Sequence, residues 1–135
     1  MCSSDLTFTI LVADDEPHIV RVVSFKLRSA GLDVIEAGDG EAAWSALRRT
    51  DVDLVLTDQQ MPLLDGLGLS RRIAADPETS GVPVIMLTAR GFRLPPEEIA
   101  GAGVAEILAK PFSPRLVLDR VMHHLGAADR GSAAA

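Results

Sequence analysis

The sequence predicts an α/β domain in which five parallel strands form one doubly wound sheet, with five helices packed on its two faces. Three observations predict it. Five short runs rich in branched apolar residues recur along the chain, and the stretches between them carry apolar residues at helical spacing. The middle runs, Leu54-Val55-Leu56 and Val84-Ile85-Met86-Leu87, are continuously apolar, as strands covered on both faces must be. Strands joined by helical crossovers within one sheet run parallel.

The first strand is expected over Phe8 to Val12. Pro17 suits the first turn of the helix that follows, whose inner face is marked by Ile19, Val22, Val23, Leu27 and Ala30, and Gly31 suits a left-handed stop. Asp33 to Glu36 reads as the second strand, and Asp39 as the cap of a helix on which Trp44 lies beside Ala43 and Leu47 and should pack against the sheet. The third strand is placed at Leu54 to Thr57, and Asp65 is expected to cap the third helix. Pro83 to Leu87 forms the fourth strand, Pro95 suits the next helix start, and Gly101-Ala-Gly103 reads as a helix stop because it precedes a strand instead of following one. Glu106 to Leu108 closes the sheet, and Pro114 opens a last helix lined by Val117, Leu118, Val121, Met122 and Leu125.

Bulk properties agree with one folded unit over residues 6–126, with flexible termini at 1–5 and 127–135. Hydrophobic residues are 47% of 135 and charged residues 24%, far from the profile of a disordered chain. Nineteen acids against 13 basic side chains leave a charge of −6, which repels nucleic acid and anionic membranes, so no direct nucleic-acid or membrane contact is expected. Cys2 is the only cysteine and excludes an internal disulfide. No apolar run approaches the roughly 18 residues of a membrane span, which makes the cytoplasm the expected setting.

In open α/β sheets, ligands bind beyond the carboxyl ends of the strands. The first strand runs into Asp14-Asp15-Glu16, the third ends at Asp58, the fourth at Thr88, and Lys110 closes the fifth. Taken singly, each has an ordinary structural role as turn, strand end or solvated charge. Taken together, they put several carboxylates on one rim, where they repel unless a cation or the lysine neutralises them. An all-oxygen donor set without cysteine or clustered histidine favours magnesium, with manganese as a substitute. His18, His123 and His124 lack ligand spacing and are read as surface or helix-face residues, and Phe92 and Phe112 as apolar packing.

Asp14-Asp15, Asp58 followed by Met61-Pro62 and Asp65-Gly66, Thr88-Ala89, and Lys110-Pro111-Phe112 resemble the signature of response-regulator receiver domains, over about residues 8–125. The resemblance implies the flavodoxin-like receiver fold and a phosphoacceptor switch in two-component or phosphorelay signalling. It implies that Asp58 takes a phosphoryl group from a histidine kinase or phosphotransfer protein. Asp15, Asp58 and the Gln60 backbone carbonyl would hold Mg2+, with Asp14 acting largely through water. Lys110 and the Thr88 hydroxyl would contact phosphoryl oxygens, so that the domain promotes its own phosphorylation and dephosphorylation.

The resemblance further implies a cis Lys110–Pro111 peptide, and places Gln60 and Arg90 beside the water that ends the signal. A downstream protein would bind the last helix–strand–helix face of a monomer or phosphorylation-induced dimer. The chain departs from the family pattern at Ile107, where an aromatic switch residue is usual. Two other functions remain: an interaction module working without phosphate, and a phosphatase with an aspartyl nucleophile. The second class resembles D-x-D on the first strand, whereas the acids here are adjacent and the acceptor follows strand three.

Overall fold

The computed structural model describes residues 8–61, 63–88, 96–110 and 113–134. Cys2, Pro62, Ala89, Arg90, Phe92, Pro95, Pro111 and Phe112, which carried sequence expectations, lie outside the described residues, as do residues 1–5. The chain alternates strand and helix throughout: β1 (Thr9–Ala13), α1 (Pro17–Ser29), β2 (Asp33–Ala37), α2 (Gly40–Arg49), β3 (Leu54–Asp58), α3 (Gly66–Ala75), β4 (Val84–Thr88), α4 (Pro96–Ala102), β5 (Glu106–Ala109) and α5 (Pro114–Ala134). The strands form one sheet in the order β2-β1-β3-β4-β5, and all four pairings are parallel.

Side chains alternate across the pleat. On β1, Ile10 and Val12 face one cluster with Leu54, Leu56, Ile85 and Leu87; α1 covers it with Val20, Val23 and Leu27, and α5 with Val117, Val121 and Leu125. Leu11 and Ala13 face the opposite layer with Val55 and Val84, beneath Ala43, Ala46 and Leu47 of α2 and Leu69 and Ile73 of α3. A third, smaller cluster joins Met86 to Leu67 and Ala102, with Ile107 packed against it. Burying each large aliphatic side chain contributes about 1.5–3 kcal/mol, and β3 and β4 are buried at every position.

Local chemistry explains the helix ends. Gly31 and Gly103 stop α1 and α4 at φ 92° and 75°, a region open to glycine without steric cost. The Asp39 and Asp65 carboxylates accept from Ala42 N and Gly68 N at 2.7 Å, capping α2 and α3 as expected. Arg28 closes part of the β2 edge by donating to Val34 O and pairing with Glu36.

The structure departs from the sequence reading in detail. Val22 on α1, Ala30 just past its end, and Met122 on α5 are exposed, and Ser24 takes an inner position. Helical spacing locates a stripe only to within a residue, and the stripe's centre is set by what packs on it. Several strands run one residue later than expected, because Gln59 N donates to Leu87 O and Lys110 N to Thr88 O, extending the ladders to the sheet's carboxyl rim. Trp44 is half-buried against the α2–α3 layer, with Arg48 stacked 5.5 Å from its ring. The α5 backbone stays helical to Ala134, past the expected end of the domain at residue 126. Among the described residues, no helix is long and apolar enough to cross a membrane.

Candidate functional site

Parallel register brings the acids together. Ala13 pairs with Thr57, so Asp14 and Asp58, each one residue further on, leave neighbouring strands side by side. Thr88 pairs with Ala109, so Lys110 emerges next to the end of β4. Asp14, Asp58 and Thr88 are buried, Asp15 is exposed, and one carboxylate oxygen from each of Asp14, Asp15 and Asp58 lies within 4.8 Å of the others.

Lys110 Nζ lies 3.0 Å from Asp58 Oδ1, 3.4 Å from Asp14 Oδ2 and 3.1 Å from Glu16 Oε1. Glu16 N donates to Asp14 Oδ1 at 3.0 Å, fixing that carboxylate from below the α1 start. One ammonium thus serves a crowd of acids. Burial pushes the Asp14 carboxyl up to about 6; the Glu16 N–H opposes this, the Asp58 charge reinforces it, and Lys110 reverses only part of it. Burial also raises Asp58, against the hydrogen bond it accepts from Lys110. Burial pulls the Lys110 ammonium down, but the hydrogen bonds it donates to Asp58 and Glu16 and the charge of Asp14 outweigh burial and hold it above the usual lysine range.

The donor chemistry fits a hard divalent cation: three carboxylates close enough to share one ion, two of them buried and short of positive charge. Asp14, Asp15 and Asp58 could hold such an ion. Gln60 stands two residues after Asp58 on the loop into α3, and it is exposed.

That loop is braced by residues to which the sequence reading gave no role. Gln59 is buried; its Oε1 accepts from Leu67 N at 2.8 Å, and its Nε2 donates to Asp65 Oδ2 at 3.3 Å. The Thr57 hydroxyl donates to the Asp58 carbonyl at 3.0 Å. A Cβ on Gly66 would lie 2.6 Å from the Asp58 carbonyl oxygen, so only glycine permits α3 to start this close to the acceptor strand. Leu63, in the same loop, holds φ 71° while 77% exposed. A glutamine in a polar loop carries no sequence signal for any of this; Gly66 was visible only as half of Asp65-Gly66.

On the α4–β5–α5 face, Arg120 Nε donates to both Glu106 carboxylate oxygens at 2.8–2.9 Å, and His124 Nε2 lies 2.8 Å from Oε1. The Arg120 hydrogen bond, outweighing a small burial cost, holds the Glu106 carboxyl below its usual range. His124 therefore has a structural partner, and His18 and His123 are exposed.

Residues 10–122 match the response regulator receiver domain. This chain belongs to that family. Response regulator GtcR of Aneurinibacillus migulanus is 37% identical over 117 residues, which are 87% of this chain and 47% of that protein. DNA-binding response regulator MtrA of Mycolicibacterium smegmatis is 36% identical over 116 residues, 86% of this chain and 50% of the other. The chain therefore spans about half the length of these curated relatives. Among solved structures, chemotaxis response regulator CheY4 of Vibrio cholerae superposes with a TM-score of 0.81 at 26% identity, covering 87% of this chain and 98% of that one. The receiver domain is a signalling domain, and its five-stranded parallel sheet is the flavodoxin-like fold of these neighbours.

Proposed function

We propose that the receiver domain, residues 6–126, is a phosphoacceptor switch in which Asp58 takes a phosphoryl group from a histidine kinase or phosphotransfer protein. The observation that carries this reading is the buried Asp58 carboxylate, 3.0 Å from Lys110 Nζ and sharing a cation-sized acid cluster with Asp14 and Asp15. Asp14, Asp15, Asp58 and the Gln60 backbone carbonyl are the proposed holders of Mg2+ or Mn2+. When bound, the ion supplies positive charge against the carboxylates and the phosphoryl oxygens.

Asp58 is the nucleophile: a carboxylate oxygen bonds to phosphorus as the phosphorus–nitrogen bond breaks, and that electron pair returns to the donor imidazole. Lys110 passes from Asp58 to a phosphoryl oxygen, and the Thr88 hydroxyl donates to another. Positioning and charge carry the catalysis, as phosphoryl transfer requires. Loss of the phosphoryl group to water reverses the switch, with Gln60 beside the path of that water. Drawing Thr88 inward moves the end of β4 against α4 and β5, where Ile107 fills the aromatic position without a ring to swing. The output is a population shift read by a protein partner on the α4–β5–α5 face, by a monomer or an induced dimer. The charge of −6 and the lack of a membrane-length helix among the described residues support a cytoplasmic domain that leaves DNA contact to other parts of such proteins.

The test is incubation with acetyl phosphate and Mg2+, read by intact mass. The wild-type protein should gain one phosphoryl group, and Asp58→Asn none. Wild-type protein that binds Mg2+ yet gains nothing would overturn the reading.

A further inference from the structure

Lys110 Nζ has three protons to donate and three carboxylates around it, at 3.0, 3.1 and 3.4 Å. A phosphoryl oxygen can be served only if one of them gives way. Asp14 and Asp58 are buried at the cation-competent cluster, whereas the Glu16 side chain is 60% exposed at the mouth and is not part of that cluster. Glu16 is also the N-cap residue of α1, yet its side chain makes no capping hydrogen bond. It reaches across the rim to Lys110 instead, a residue 94 positions away in sequence. Helix formation gives no reason for a glutamate here, since short polar side chains cap better.

We propose that Glu16 is a positioning residue for Lys110: it holds the ammonium toward the mouth of the pocket and competes with the incoming phosphoryl group for it. The proposal rests on Asp58 being the phosphoacceptor. Two consequences follow with opposite signs. The Glu16 carboxylate strengthens cation binding, because it adds negative charge beside the cluster and keeps Lys110 from neutralising the buried acids fully. The same carboxylate slows attack on an anionic donor, because it repels that donor and retains Lys110.

Glu16→Gln removes charge and ion pair together, while Glu16→Asp keeps the charge on a stem one methylene too short to hold Lys110 where it stands. With acetyl phosphate at saturating Mg2+, Glu16→Gln should form acylphosphate about 3–10 times faster than wild type, while its Mg2+ dissociation constant rises about 2–3-fold. Glu16→Asp should share at least half of the rate gain with near wild-type Mg2+ affinity. Both rate gains should shrink in high salt, as exposed charge effects do. A fall in both readouts for Glu16→Gln would mark ordinary damage to the fold and overturn the proposal. So would a wild-type rate in both variants, or a gain in Glu16→Gln alone, which would reduce the effect to mouth charge without positioning. An unreactive wild-type protein would instead remove the acceptor reading, and this inference with it, so the two failures are distinguishable.

Discussion

Ser24 is the residue whose chemistry fits its place least. It is fully buried on the inner face of α1, between Val23 and Leu27 in a layer of aliphatic side chains, and its hydroxyl has no hydrogen-bond partner among the described residues. An unpaired buried hydroxyl costs about 1–3 kcal/mol, and alanine is also the better helix former. Ser24→Ala should therefore raise unfolding stability by about 1 kcal/mol in urea titrations, with the slope unchanged. A loss of stability would mean that the hydroxyl is satisfied in solution. The pocket acids behave differently, because Asp14, Glu16 and Asp58 share the Lys110 ammonium. Asp14, Thr88 and Lys110 could be picked out in sequence as strand ends, since the rule for open α/β sheets says where to look. Glu16 could be seen as a third acid but not as a partner of Lys110, because their contact depends on the sheet order that brings β1 and β5 to a common rim.

At the scale of elements, the decisive segment is the passage from β3 to α3. Asp65 caps the helix, Gln59 ties its first turn back to the strand, and Gly66 N donates to Gln59 O at 2.9 Å. Gly66→Ala would press its Cβ, 2.6 Å from the Asp58 carbonyl oxygen, into strand backbone that cannot yield without moving the acceptor. The expected result is a loss of roughly 1–3 kcal/mol, as for other overpacked sites, together with at least a tenfold slower acylphosphate formation. A variant that is destabilised but reacts at the wild-type rate would show that the loop does not position Asp58. Glu106, Arg120 and His124 tie β5 to α5 in the same manner, but none of their spacing in sequence announces the contact. The helix caps were legible because they depend on residues three apart, whereas these braces depend on elements that meet only after folding.

The whole molecule concentrates charge cost in one place. Asp14 carries its carboxyl at about 6 in the fold against 3.8 in the open chain. A group raised in this way favours the folded state only when protonated. Its destabilising effect is fully present above pH 6 and fades as pH falls from 6 toward 4, by up to about 3 kcal/mol at 1.36 kcal/mol per unit. Glu106, held below its usual value, works in the opposite sense, but only below its ordinary 4.5. Without metal, the wild-type protein should thus gain stability between pH 7 and pH 5, and Asp14→Asn should flatten that gain and be the more stable of the two at pH 7.5. Mg2+ should stabilise the wild type at pH 7.5 and the variant much less. Equilibrium unfolding at pH 5 and 7.5, with chelator and with Mg2+, checks both signs; a wild type more stable at pH 7.5 without metal would contradict the burial of Asp14.

The sequence by itself determined the α/β class, the five alternating units, the caps at Asp39 and Asp65, and the rim residues Asp14, Asp58, Thr88 and Lys110. These follow from local periodicity, capping chemistry and the general rule for strand ends. Tertiary structure alone decided that Ser24 faces the core while Val22 does not, that Gln59 and Thr57 brace the acceptor strand, and that Glu16 shares the lysine with Asp14 and Asp58. The physical reason is range. Helix and strand signals are written within a few residues of one another, whereas burial and ion pairing depend on which distant segments the strand order β2-β1-β3-β4-β5 sets side by side.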